Sequence, residues 1–91
     1  MVASEKKEGV YNYPNPLNDL DRGTTIMYSP AQDAEVRIYD VFGNLVRKLH
    51  GKEGRAEWDG RNGQGEIVAN GGYIGVVEGI SKYVKVAVKK Q

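Results

Sequence analysis

The sequence predicts an all-β chain folded as an antiparallel sandwich of about seven strands. Three observations carry that expectation. Apolar and polar residues alternate in short runs, turn signals recur about every 8 to 12 residues, and no window of a dozen residues has apolar positions at helical spacing. The 12 glycines sit singly or in pairs between the runs, where tight turns need them.

Residues 1–8 are polar and charged and read as a linker end or tail. Residues 9–91 then form one domain, because a chain of 91 residues has no room for a second core. A first strand over Val10–Tyr13 is stopped by Pro14-Asn15-Pro16, since neither proline can donate to a ladder. In Thr24–Ser29, Thr24, Ile26 and Tyr28 share one face. Ala34–Val41 turns Ala34, Val36 and Ile38 inward and Glu35, Arg37 and Tyr39 outward. Gly43-Asn44 is a tight connection to Leu45–Leu49, and Arg55–Trp58 presents Ala56 and Trp58 to the core. The turn-dense run Asp59–Gly65 leads to a short strand over Glu66–Ala69 and a turn at Asn70-Gly71-Gly72. Tyr73–Glu78 and Tyr83–Lys89 close the chain as a hairpin around Gly79-Ile80-Ser81. That number of strands in this length favours an Ig-like, fibronectin type III-like sandwich.

Composition excludes several functions. Thirteen basic against 12 acidic residues give a charge of +1, without the clustered basic face that nucleic acid requires. The absence of cysteine removes disulfides, thiolate zinc sites and cysteine nucleophiles. No apolar stretch approaches the roughly 18 residues of a spanning helix. The N-terminal stretch lacks the apolar segment of a signal peptide; if the chain is part of an exported parent, the export signal is expected upstream.

Catalysis finds no constellation. His50 is the only histidine and falls at the end of a hairpin arm, while Ser4, Ser29 and Ser81 lack a nucleophile-elbow context. Asp40 and Asp59 each end a strand at a glycine-containing turn, where a carboxylate accepts backbone N–H groups. Glu57 alternates with Trp58 and faces solvent, so no carboxylate pair is expected to act on a glycosidic bond. Asp59–Glu66 fails the spacing of an EF-hand calcium loop whichever glycine is set at position 6. Asn18, Asp19 and Asp21 form a second oxygen-rich loop, whose calcium binding is left open; no metal or cofactor ligands are assigned. Tyr39 is the tyrosine expected to be exposed, beside Arg37, so sugar stacking would rest on one or two rings. Arg37, Tyr39, Lys85 and Lys89 are the candidate interaction residues.

Four ordered segments carry a resemblance: Tyr13–Asn18, Val36–Val46, Trp58–Gly65 and Gly72-Tyr73. Together they resemble the Ig-like domain of the flagellar hook-capping protein and the related C-terminal modules, type IX secretion sorting domains among them, that end many secreted bacterial enzymes. The match runs from about Val10 to Lys90, and its structural positions are Pro14, Asn15, Pro16, Asp40, Gly43, Trp58, Asp59, Gly60, Gly72 and Tyr73. Within it, Tyr13-Pro14-Asn15-Pro16 would seal the edge of the first strand. The resemblance implies a non-enzymatic C-terminal module of a larger secreted or surface bacterial protein, used for sorting, attachment or spacing. Its implied partners are upstream domains of the parent chain, export machinery, and cell-surface or filament proteins. The alternatives are a structural assembly role like that of the hook cap, and a carbohydrate-binding accessory role beside a secreted glycanase. Two departures stand out: Gly75 replaces a frequent aromatic, which would thin the core, and the Asp19–Arg22 loop is longer and more acidic than usual.

Overall fold

A computed structural model describes residues 8–90, so most of the expected N-terminal tail and Gln91 lie outside the described residues. The strands are β1 (Gly9–Tyr13), β2 (Thr24–Ser29), β3 (Ala34–Asp40), β4 (Leu45–Gly51), β5 (Arg55–Trp58), β6 (Gly71–Val77) and β7 (Tyr83–Val88). They form two antiparallel sheets, one ordered β1-β2-β5 and the other β4-β3-β6-β7. This is the Ig-like sandwich that the alternation predicted.

The period-2 pattern explains which residues meet between the sheets. Ile26, Ala56 and Trp58 come from the three-stranded sheet, and Val36, Ile38, Tyr73, Val77, Val84, Val86 and Val88 from the four-stranded one. Trp58 is 1% exposed. Its indole meets the Tyr73 ring edge-on across the sandwich, at 5.5 Å between centroids and 69° between planes. Two polar side chains are buried with it: Asn12 donates from Nδ2 to Thr24 Oγ1 at 3.0 Å, and that hydroxyl donates to the Pro14 carbonyl at 2.8 Å.

Registers place the chain ends. β1 starts opposite the end of β2, and Glu8 accepts from the Ser81 N–H at 3.1 Å and from its hydroxyl. Glu8 is therefore fastened to the sheet rather than part of the expected tail. Residues 30–33, 52–54 and 79–82 lie at this entry pole, while residues 14–23, 41–44 and 59–70 and the C-terminal residues gather at the opposite one.

Four details differ from the sequence expectation. Glu66–Ala69 is not a sheet strand. Its backbone pairs within its own loop, through Asn62 N–H to Glu66 O at 2.8 Å and Val68 N–H to Gly60 O at 2.9 Å, and only Val68 of its apolar pair reaches the core. The β3–β4 connection is a four-residue loop, Val41-Phe42-Gly43-Asn44, closed by Asp40 N–H to Asn44 O at 3.0 Å; Gly43 supplies its left-handed residue at φ 86°. Gly71 and Gly72 belong to β6, paired with Val88 and Ala87, rather than to a turn. The core at Gly75 is not thin: a Cβ there would stand 2.9 Å from Val84 Cγ1 and 3.6 Å from the Cδ1 atoms of Ile26 and Ile38.

The Pro14-Asn15-Pro16 segment seals a different edge from the one expected. It crosses to the four-stranded sheet, where Asn15 Oδ1 accepts the Ala87 N–H at 3.0 Å. Leu17 then donates to Ala87 O at 2.7 Å and accepts from Lys89 N–H at 2.9 Å, forming a parallel bridge to Val88. The covered edge is therefore that of β7, the last strand, whose unpaired groups would otherwise invite another chain.

Two substitutions test this packing. Trp58→Ala is expected to cost about 3 to 5 kcal/mol in chemical denaturation, the loss of a fully buried aromatic. Gly75→Ala is expected to lower stability by about 1 to 3 kcal/mol through overpacking against Val84; unchanged melting would place free space there.

Candidate functional site

Hydrogen bonds to side chains shape the pole opposite the chain entry. Asp40 Oδ1 accepts the N–H groups of Phe42 and Asn44, both at 2.9 Å, and Oδ2 accepts Asn44 Nδ2 at 3.1 Å. Asp59 Oδ1 accepts the Arg61 N–H and Arg47 Nη1, both at 3.0 Å. Gly60, at φ 78°, faces Leu20, whose Cδ2 would be 3.0 Å from a Cβ; both the backbone angle and the contact favour glycine. The polar tips of the two core aromatics hold the same loop: Trp58 Nε1 donates to Arg61 O at 2.9 Å, and Tyr73 OH donates to Ala69 O at 2.6 Å. Asp40, Asp59, Trp58 and Tyr73 thus all bind backbone groups of turns or loops.

Of the candidate interaction residues, Arg37, Tyr39 and Lys85 share the outer face of the four-stranded sheet. Registers place Arg37 beside Val76 and Tyr83, and Tyr39 beside Ile74 and Lys85. Arg37 Nε pairs with Glu35 at 2.6 Å, so this cation is already neutralised. Tyr39 is half-buried, not the freely exposed ring the sequence suggested. Lys89 follows β7, with its N–H engaged by Leu17.

The more exposed tyrosines are Tyr11, Tyr13 and Tyr83. Tyr11 and Tyr13 stand on the outer face of the three-stranded sheet, in the rows Tyr11–Met27–Arg55 and Tyr13–Thr25–Glu57. Arg22 Cζ lies 5.7 Å from the Tyr13 ring centroid. The signal that would have found this face is the single polar residue Asn12 between the two tyrosines. Once Asn12 is satisfied inside, both rings must face out.

His50 is exposed on β4, paired in register with Glu35, and Ser81 is bound to Glu8. Neither stands in a nucleophile–base arrangement. Asp19 Oδ1 accepts the Asp21 N–H at 2.9 Å, a local turn. Among the described residues, no three or more His, Asp or Glu side chains converge to hold a metal ion, and no helix is long and apolar enough to cross a membrane.

Residues 17–82 match the FlgD Ig-like domain family. Among solved structures, the chain is similar to PorZ, a bacterial surface component of the type-IX secretion system of Porphyromonas gingivalis. The likeness has 32% identity and a TM-score of 0.72 over 89% of this chain. It is also similar in fold to latent dimeric PorU of the same bacterium, at 24% identity and a TM-score of 0.59 over 98% of this chain. The chain spans only 11% of PorZ and 10% of PorU. No curated protein matches it.

The Asp40 carboxyl is held below the usual carboxylate range, chiefly by the Asn44 N–H and further by the Asn44 side chain and the N–H groups of Phe42 and Gly43, against a smaller opposing effect of burial. A group depressed in the folded state stabilises it fully above the unfolded value of about 3.9, and that stabilisation is lost as pH falls through the folded value. Melting temperature measured against pH should therefore fall less steeply below about pH 4 in Asp40→Asn than in the parent chain. Identical acid limbs would show that Asp40 does not couple to folding.

Proposed function

The chain belongs to the FlgD Ig-like domain family, and we propose that it works as a non-enzymatic C-terminal module of a larger secreted or surface bacterial protein. In this reading it serves sorting, attachment or spacing at the cell surface, and its partners are the upstream domains of its own chain and the export machinery. The observation that carries it is the 32% identity with a segment that is 11% of PorZ, a surface component of a secretion system. The geometry supports a non-catalytic role: the acids a glycosidase or triad would use, Asp40 and Asp59, bind turn N–H groups, and His50 has no nucleophile beside it. The division of the molecule into two poles suits a module attached at one end, with the loops at the other left to meet a partner.

The family match also favours a second reading, a structural assembly role like that of the hook cap, in which the module contacts a filament protein. The two readings differ in what removal of the module does. Excising residues 9–91 from the full-length parent should leave it synthesised but retained in the cell, as judged by surface proteolysis and fractionation. Normal display of the shortened parent would overturn the sorting reading, and normal display with lost filament or surface assembly would select the second.

A further inference from the structure

Beyond that role, we infer that the outer face of the three-stranded sheet binds a neutral polysaccharide, with the rings of Tyr11 and Tyr13 as its stacking platform. The two rings are 60% and 63% exposed. They stand two residues apart on β1 and on one face, which sets their Cα atoms about 6.6 Å apart. Tyr28 and Tyr73 are buried, with their hydroxyls bonded to backbone carbonyls. Two large rings side by side on one strand leave adjoining aromatic surface in water, which a single exposed ring such as Tyr83 does not.

The surroundings set the ligand class. Beyond Tyr13 the face runs into an open cleft of about 290 Å³ lined by Asp21, Arg22, Arg47, Glu57 and Asp59 among others. Adding Arg55, in register with Met27 and Tyr11, three guanidinium groups face three carboxylates. Arg47 and Asp59 are bonded to each other and to the Arg61 backbone, so the groups left for a ligand are Arg22, Arg55, Asp21 and Glu57, two of each sign, a balance that complements an uncharged polyhydroxyl chain. They fit neither an anionic membrane nor nucleic acid, each of which calls for an excess of cations. A sugar ring presents polarised C–H groups to an aromatic face, whose quadrupole is negative, and hydroxyls around its rim. The tyrosines meet the first feature and the cleft meets the second. Apolar surface comes only from the two rings, Met27 and Leu20 at the cleft, too little for the core of a stable protein interface.

The test is titration of the 91-residue chain with cellohexaose, xylohexaose, laminarihexaose and chitohexaose, followed by amide chemical shifts and calorimetry. At least one neutral hexasaccharide should bind and shift the amides around Tyr11, Tyr13 and Arg22. Tyr11→Ala and Tyr13→Ala should each weaken that binding about tenfold, with melting unchanged within about 2 °C. Tyr83→Ala, on the other sheet, should leave it intact. No shift with any of the four sugars, preference for a sulfated or uronic oligosaccharide, or binding that survives loss of both rings would overturn the proposal. Export of the parent is read separately, so failure here leaves the sorting reading standing.

Discussion

The contact between Trp58 and Tyr73 organises this molecule. It joins the last residue of β5 to the third residue of β6 across the sandwich, and its edge-on geometry buries both rings without overlap. Each ring also ends in a polar group, and the two donate to carbonyls near opposite ends of the loop between those strands. One apolar contact therefore closes the core and pins its longest connection. With Arg61 so placed, its carbonyl also receives Arg47 Nη1 at 3.1 Å, and Val68 drops into the space beneath.

The other turns follow the same economy. A short acceptor side chain at the end of a strand takes the N–H groups of the loop that follows, as Asp40 and Asp59 do. Acidic residues used in this way are fixed in orientation and already coordinated. Asp40 and Asp59 are thereby taken out of any reactive cluster among the described residues. It also leaves the outer sheet faces as the surfaces where side chains are free to meet something else.

Much of the fold was legible. β2 and β5 have the bounds that alternation gives, and Trp58 reads as core because Ala56 and its own position share a phase. Where the reading failed, the deciding interactions lay far apart in sequence. Asn12 is polar and inside because it donates to Thr24, whose hydroxyl in turn donates to the Pro14 carbonyl, so the tyrosines beside it face out, against their hydropathy. Glu66–Ala69 has the composition of a strand, but its hydrogen-bond partners are residues of its own loop. Asn15 meets Ala87 across a separation of 72 residues, a contact that no local pattern announces. Gly75 looks like a gap until the isoleucines and valine that fill it are brought in from three other strands.

The fastening of β1 and the segment after it to β7 has a mechanical consequence. Glu8 is tied to Ser81 at one pole, and Asn15 and Leu17 are tied to Ala87 and Lys89 toward the other, so the two outer strands run side by side in the same direction. The chain enters at the first pole and leaves at the second. Traction between its ends drags these strands lengthwise past each other, and every tie takes the load at once instead of being unzipped in turn. Force applied between the two ends therefore meets a sheared, not a peeled, seam.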